Sequence, residues 1–159
     1  MRILIVGAGS GGHWAPAMGL AHYIKQNQTG WKVQLAQPSS SQSFQDSNVR
    51  QDVLSIPAVS YAGKKSLVNP IFWHRLWKSR LRCQSILKQG EYSLVVGFGG
   101  YATVPVMMAA HSLKIPAVIH EQNYALGKAN RFLSNFVDQI ALSFPPNKDR
   151  AEALGKRSY

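Results

Sequence analysis

The chain opens on a short β-branched run that ends in glycine. RILIVG fills residues 2–7, and Gly9, Gly11 and Gly12 follow before the next apolar stretch. Such a run is a good buried strand. Gly7, Gly9 and Gly12 make a G-x-G-x-x-G between that strand and a helical pattern. Glycines there let backbone approach a phosphate, and a helix N-terminus adds partial positive charge. The unit recurs where SLVVG (93–97) runs into Gly99, Gly100 and Tyr101 and then into another helical stretch. Two such units point to strands alternating with helices.

The remaining runs keep the same rhythm. Pro16 suits the first turn of a helix, with Ala17, Leu20, Ala21 and Ile24 at helical spacing behind it. WKVQLA (31–36), DVLSIP (52–57), PAVIHE (116–121) and VDQIALSF (137–144) read as further strands. Helices are predicted from Asn69-Pro70 to about Gln89, from the second glycine loop to about Lys114, and near 127–136. Residues 38–47 and 61–66 read as a polar loop and a connector. The expected class is α/β, a doubly wound, mainly parallel, Rossmann-like sheet with right-handed crossovers. Ligands of such sheets bind beyond the carboxyl ends of the strands, where the glycine loops lie.

Ile3 to Ile24 and Ser93 to Leu113 carry no formal charge with histidine neutral, and both are long enough to raise the question of a membrane span. Glycines and a proline interrupt each, so both read as strand, loop and helix. Ile3 to Val6 is too short for the apolar core of a signal peptide, which favours a reducing cytoplasm. With 159 residues, 45% hydrophobic, the chain can bury the core of one ordinary domain. Its one cysteine, Cys83, excludes an intrachain disulfide and a cysteine-based zinc site. Eighteen Lys and Arg against seven Asp and Glu, a formal charge of +11, favour an anionic partner: nucleic acid, a phosphorylated ligand or an anionic membrane.

The first loop has competing readings. A dinucleotide site wants an acid at the end of the second strand. That end reads Leu35-Ala36-Gln37-Pro38, and the first acid of the chain is Asp46. NADP tolerates the missing acid, but no Arg or Lys lies between Val33 and Val49. Ligand-free tight turns and a phosphate of some other ligand stay open beside it. His13, directly after the loop, is either a capping or surface residue or a base at the ligand. His120-Glu121-Gln122-Asn123 either caps the next helix, through Asn123, or offers donors and acceptors to a sugar.

No acid occurs from Val53 to Gly90, while Lys64, Lys65, Arg75, Lys78, Arg80, Arg82 and Lys88 do. Ile71, Phe72, Trp73, Leu76 and Trp77 spread over roughly 240° of a helix at about 100° per residue. Docking on a sheet needs a stripe of only about 100°. The excess apolar surface calls for a second partner, and aromatics beside cations suit an anionic bilayer interface. Burial under a loop or another subunit is the alternative; stacked single-stranded nucleic acid fits less well.

GAGSGGHWAPAMGLA, VVGFGGYATVP and IPAVIHEQNYALGKANRFL together resemble the N-terminal domain of the MurG family of bacterial N-acetylglucosaminyltransferases, from Met1 to about Pro146. H-E-Q-N followed by G-x-x-N-R carries most of that resemblance. The family's G-G-T-G-G-H has Ala8 and Ser10 here in its Gly and Thr places. The resemblance implies the N-terminal half of a two-domain GT-B fold. In this family that half takes the lipid-linked acceptor, undecaprenyl diphosphate bearing MurNAc-pentapeptide, on the cytoplasmic face of the membrane. The other half takes UDP-GlcNAc. Transfer inverts the anomeric carbon and makes lipid II for peptidoglycan, with no metal, no cofactor and no nucleic-acid partner implied.

Carried onto this sequence, the resemblance makes His13 the leading general base and Glu121 a second catalytic candidate. Ser10, Gly11, Gly12, Gly99, Gly100, Tyr101, Gln122 and Asn123 fall to the acceptor and its diphosphate. Lys64, Lys65, Ile71, Phe72, Trp73, Arg75, Trp77, Lys78 and Arg80 fall to membrane association. The expected division is 1–146 as acceptor domain and 147–159 as a tail or the start of an interdomain connection, with the donor domain absent. A non-catalytic membrane-surface module and an NADP-binding oxidoreductase fragment are the alternatives.

Overall fold

The computed structural model describes residues 1–7, 11–39, 53–59 and 68–145. The predicted connector at 61–66, most of the loop at 38–47, and the tail from 147 lie outside the described residues. Chain order is β1 (Arg2–Val6), α1 (Gly11–Asn27), β2 (Lys32–Pro38), β3 (Val53–Ile56), α2 (Pro70–Gln89), β4 (Leu94–Gly97), α3 (Thr103–Ser112), β5 (Ala117–Glu121), α4 (Lys128–Leu133) and β6 (Gln139–Leu142). All six strands join one parallel sheet in the order β3-β2-β1-β4-β5-β6.

The sheet is covered on both faces, which is why β1 needs an unbroken apolar run rather than an alternating one. Ile3 and Ile5 pack with Ala17, Ala21 and Ile24 of α1. Leu4 and Val6 face the opposite layer, with Leu76, Cys83 and Leu87 of α2, Met107 of α3 and Leu133 of α4. The two stretches without charge resolve as β1–loop–α1 and β4–loop–α3. Among the described residues no helix is long and apolar enough to cross a membrane.

The boundaries of four elements differ from expectation. Helix α1 begins at Gly11, so Gly11 and Gly12 form its first turn and Pro16 lies inside it. Proline's preference for a helix start misplaced that boundary; what seats the helix is close packing behind it. A Cβ on Gly7 would come within 2.8 Å of the Trp14 ring and 3.2 Å of Ala17. Strand β2 runs on through Pro38, which pairs in register with Ile56. Strand β6 is shorter than predicted, and α4 occupies only the early part of 127–136.

Helix α2 follows its sequence closely. The Asn69 side chain accepts from the Ile71 N–H at 2.9 Å, and Pro70 fills the first helical position, where its missing N–H costs nothing. Leu76, Ser79, Cys83 and Leu87 form the buried stripe. The Ser79 hydroxyl donates to the Pro57 carbonyl at 2.8 Å, tying the helix to the end of β3.

Candidate functional site

The strand order reverses direction between β1 and β4, so the crevice above this pair is the topological switch point of the sheet. Val6 lies beside Gly97 in register, which brings the two glycine loops together. Gly97 sits where any Cβ would collide with the Met107 methyl. Gly99 and Gly100 have φ of 86° and 78°, a left-handed conformation that side chains disfavour. The turn closes when the Thr103 hydroxyl donates to the Gly100 carbonyl at 2.7 Å.

His13 lies in the first turn of α1, half-buried. Its Nδ1 is 2.6 Å from the side-chain amide nitrogen of Gln122. A Cβ on Gly99 would meet the His13 ring at 3.3 Å and the Asn130 amide at 3.4 Å. The structure thus joins three elements at one point: the start of α1, the loop after β4 and the end of β5. Beside them Gly11 and Gly12 are exposed, and a Cβ on Gly12 would meet nothing within 4 Å.

Glu121 is placed differently. Only 2% exposed, it accepts from four N–H groups. These are the Asn123 backbone at 3.0 Å and side chain at 3.1 Å, the Gly127 backbone at 2.8 Å and the Asn130 side chain at 3.0 Å. Burial pushes its carboxyl up, but those donors outweigh burial and hold the pKa below the usual carboxylate range. The cap of α4 is therefore not Asn123. Gly127 stands at that position, and its N–H goes to Glu121. Asn123 is joined to Glu121 rather than to His13.

Asn130 was not singled out as a site residue. It is 3% exposed and also donates to the His120 carbonyl at 3.2 Å. Its signal is positional: Ala129, Asn130 and Leu133 share the buried face of α4, so an amide occupies a core slot. His120, the first residue of the polar run at the end of β5, turns elsewhere. Its Nε2 lies 3.1 Å from the Ser143 hydroxyl, and its ring tilts against Phe98. Burial pulls its pKa down, opposed in part by the Glu121 carboxylate.

On α2, Ile71, Trp73 and Trp77 are 59%, 43% and 56% exposed. Arg75 and Lys78 are exposed too, Phe72 is half-buried, and half-buried Arg80 lies over the Trp77 ring at 5.0 Å. Between this helix and the second glycine loop is an apolar cavity of about 230 Å³, lined by Phe72, Trp73, Leu76, Tyr101, Val104, Phe132 and Lys128. Ser10, Lys64 and Lys65 lie outside the described residues.

Such a sheet, with glycine loops and a histidine at its switch point, matches the N-terminal half of a GT-B glycosyltransferase. Residues 3–142 match the family described as Glycosyltransferase family 28 N-terminal domain, and the chain belongs to it. It is 37% identical over 156 residues to a Brucella canis protein described as UDP-N-acetylglucosamine--N-acetylmuramyl-(pentapeptide) pyrophosphoryl-undecaprenol N-acetylglucosamine transferase. That match takes in 95% of this chain and 39% of the relative; a Brucella suis relative matches equally. The structure resembles that of Acinetobacter baumannii MurG, with TM-score 0.74 and 26% identity over 92% of this chain and 43% of that one. A UDP-GlcNAc 2-epimerase from Methanocaldococcus jannaschii shares the fold at TM-score 0.62 and 12% identity, over 97% of this chain and 42% of its own. The chain thus spans about two fifths of the length of the curated relatives it matches.

Proposed function

We propose that this chain is the acceptor-binding half of an inverting glycosyltransferase. The enzyme moves N-acetylglucosamine from UDP-GlcNAc to undecaprenyl-diphosphate-MurNAc-pentapeptide, so that lipid I becomes lipid II. The observation that carries the reading is the convergence of His13, Gly99 and Gln122 at the β1/β4 switch point. Ser10, Gly11, Gly12 and the Gly99–Tyr101 turn hold the acceptor's diphosphate. Backbone N–H groups at a helix start and in a left-handed turn form an anion cradle. His13 takes the proton of the acceptor sugar's 4-hydroxyl as that oxygen attacks the anomeric carbon and UDP leaves from the opposite face. Glu121 acts as a positioning group, because its oxygens are already engaged by the loop that carries Gln122 and Asn123. The UDP-sugar is bound by a second domain outside these 159 residues.

Helix α2, with Lys64 and Lys65 before it, rests on the anionic cytoplasmic face of the membrane as a peripheral contact. Its exposed tryptophans and cations support this. The apolar cavity beside Tyr101 continues that surface toward the diphosphate turn. The test of the catalytic reading supplies the partner half and measures transfer. His13→Ala lowers turnover by about 10²–10⁴, the usual weight of a general base. Turnover unchanged from wild type removes His13 from the chemistry.

A further inference from the structure

We propose that Gln122 is a positioning residue that fixes the tautomer of His13, holding the proton on Nδ1 and leaving the Nε2 lone pair free. The assignment rests on the reading of His13 as the base. The 2.6 Å contact between His13 Nδ1 and the Gln122 amide can be made in two ways. If the amide NH₂ donates, Nδ1 is the acceptor and the ring proton must sit on Nε2. Nε2 has no partner among the described residues, so the ring then offers a donor outward and no base. If the amide is rotated by half a turn, its oxygen accepts from Nδ1–H, and Nε2 presents a lone pair instead. Nitrogen and oxygen of an amide are told apart by their partners, so the network decides.

The partners favour the rotated amide. With NH₂ toward His13, Gln122 Oε1 is buried without a partner, a state that costs the desolvation of that oxygen. Among the described residues, the other buried side-chain atoms in this state are His120 Nδ1 and Asn130 Oδ1. Asn130 Oδ1 is an acceptor, and so is His120 Nδ1 when Nε2 carries the proton toward Ser143. This corner therefore lacks donors and has acceptors to spare. Rotating Gln122 pairs its oxygen with a ring N–H and turns the NH₂ into the donor-poor side. A neutral amide also suits the place chemically. It fixes the tautomer as a carboxylate does in a catalytic triad, but puts no negative charge beside a diphosphate.

The tautomer is read directly by long-range ¹H–¹⁵N correlation on the chain with ¹⁵N-labelled histidine, with the His13 signals assigned by their loss in His13→Ala. In the neutral ring, wild-type His13 shows a protonated Nδ1 and a bare Nε2. Gln122→Leu removes the acceptor and moves the proton to Nε2. Gln122→Glu, close to isosteric, keeps it on Nδ1, because a carboxylate oxygen accepts from the ring N–H as the amide oxygen does. A wild-type His13 protonated on Nε2, with Gln122→Leu unchanged, overturns the proposal. None of these readings depends on turnover, so a failure here is distinct from a failure of the transferase assay.

Discussion

Glu121 and Asn130 show how much one buried carboxylate can organise. Four N–H donors converge on Glu121 from three residues, and that fixes the loop from which Gln122 reaches His13. Glu121→Gln turns one acceptor into a donor facing donors. The expected loss is about 1–3 kcal/mol of stability at neutral pH, read from urea unfolding. The folded pKa of Glu121 is depressed, so its contribution is complete above the unfolded value near 4.5 and is lost as pH falls through the folded value. His120 adds an earlier step. Its folded pKa lies below the ordinary 6.5, so the unfolded chain takes the proton first and acidification below about 6.5 already costs stability. Wild type should lose stability in two stages on acidification and Glu121→Gln only in the upper one. Identical pH profiles for the two would show that the network does not hold the charge. The H-E-Q-N run was legible as polar chemistry at a strand end, but not the division of labour within it. Which side chain turns to α1 and which to α4 depends on residues 109 and 9 positions away.

At the scale of elements, α2 was the easiest helix to read and is the most informative about partners. Asn69-Pro70 marks its start, and its buried stripe leaves Trp73 and Trp77 outside. The apolar arc predicted from spacing is wider than the sheet can cover, and the structure leaves that excess in solvent. Vesicle cosedimentation tests the consequence. Binding to anionic vesicles should be clear at low salt and fade as salt rises. Trp73→Ser combined with Trp77→Ser should weaken it while leaving the unfolding midpoint near wild type, since neither ring is buried. Equal binding to neutral and anionic vesicles would remove the electrostatic part. Helix α1 was harder to read. Glycine has poor helix propensity, so nothing local announces a start at Gly11; the packing of Trp14 and Ala17 against Gly7 does that work.

For the whole molecule, the six strands and their order place the crevice at the β1/β4 switch point, while the relatives extend well beyond the matched 39% of their length. Transfer needs the donor carbon and the acceptor oxygen held in contact. The chain by itself is therefore expected to turn over no UDP-GlcNAc with a lipid I analogue, and to gain activity when a separately expressed C-terminal domain is added. Turnover by the purified chain alone would sink the two-domain reading. The sheet order also bears on how the protein is made. Its central strand, β1, is made before the other five described strands, yet one of its two neighbours, β4, follows about ninety positions later, as the 91-residue span from Arg2 to Ser93 shows. At about 5–20 residues per second, the nascent chain carries an unsatisfied edge on its most apolar strand for roughly 5–20 s. During that interval RILIV is open to pairing with another chain, a hazard that the native sheet removes once β4 closes on it.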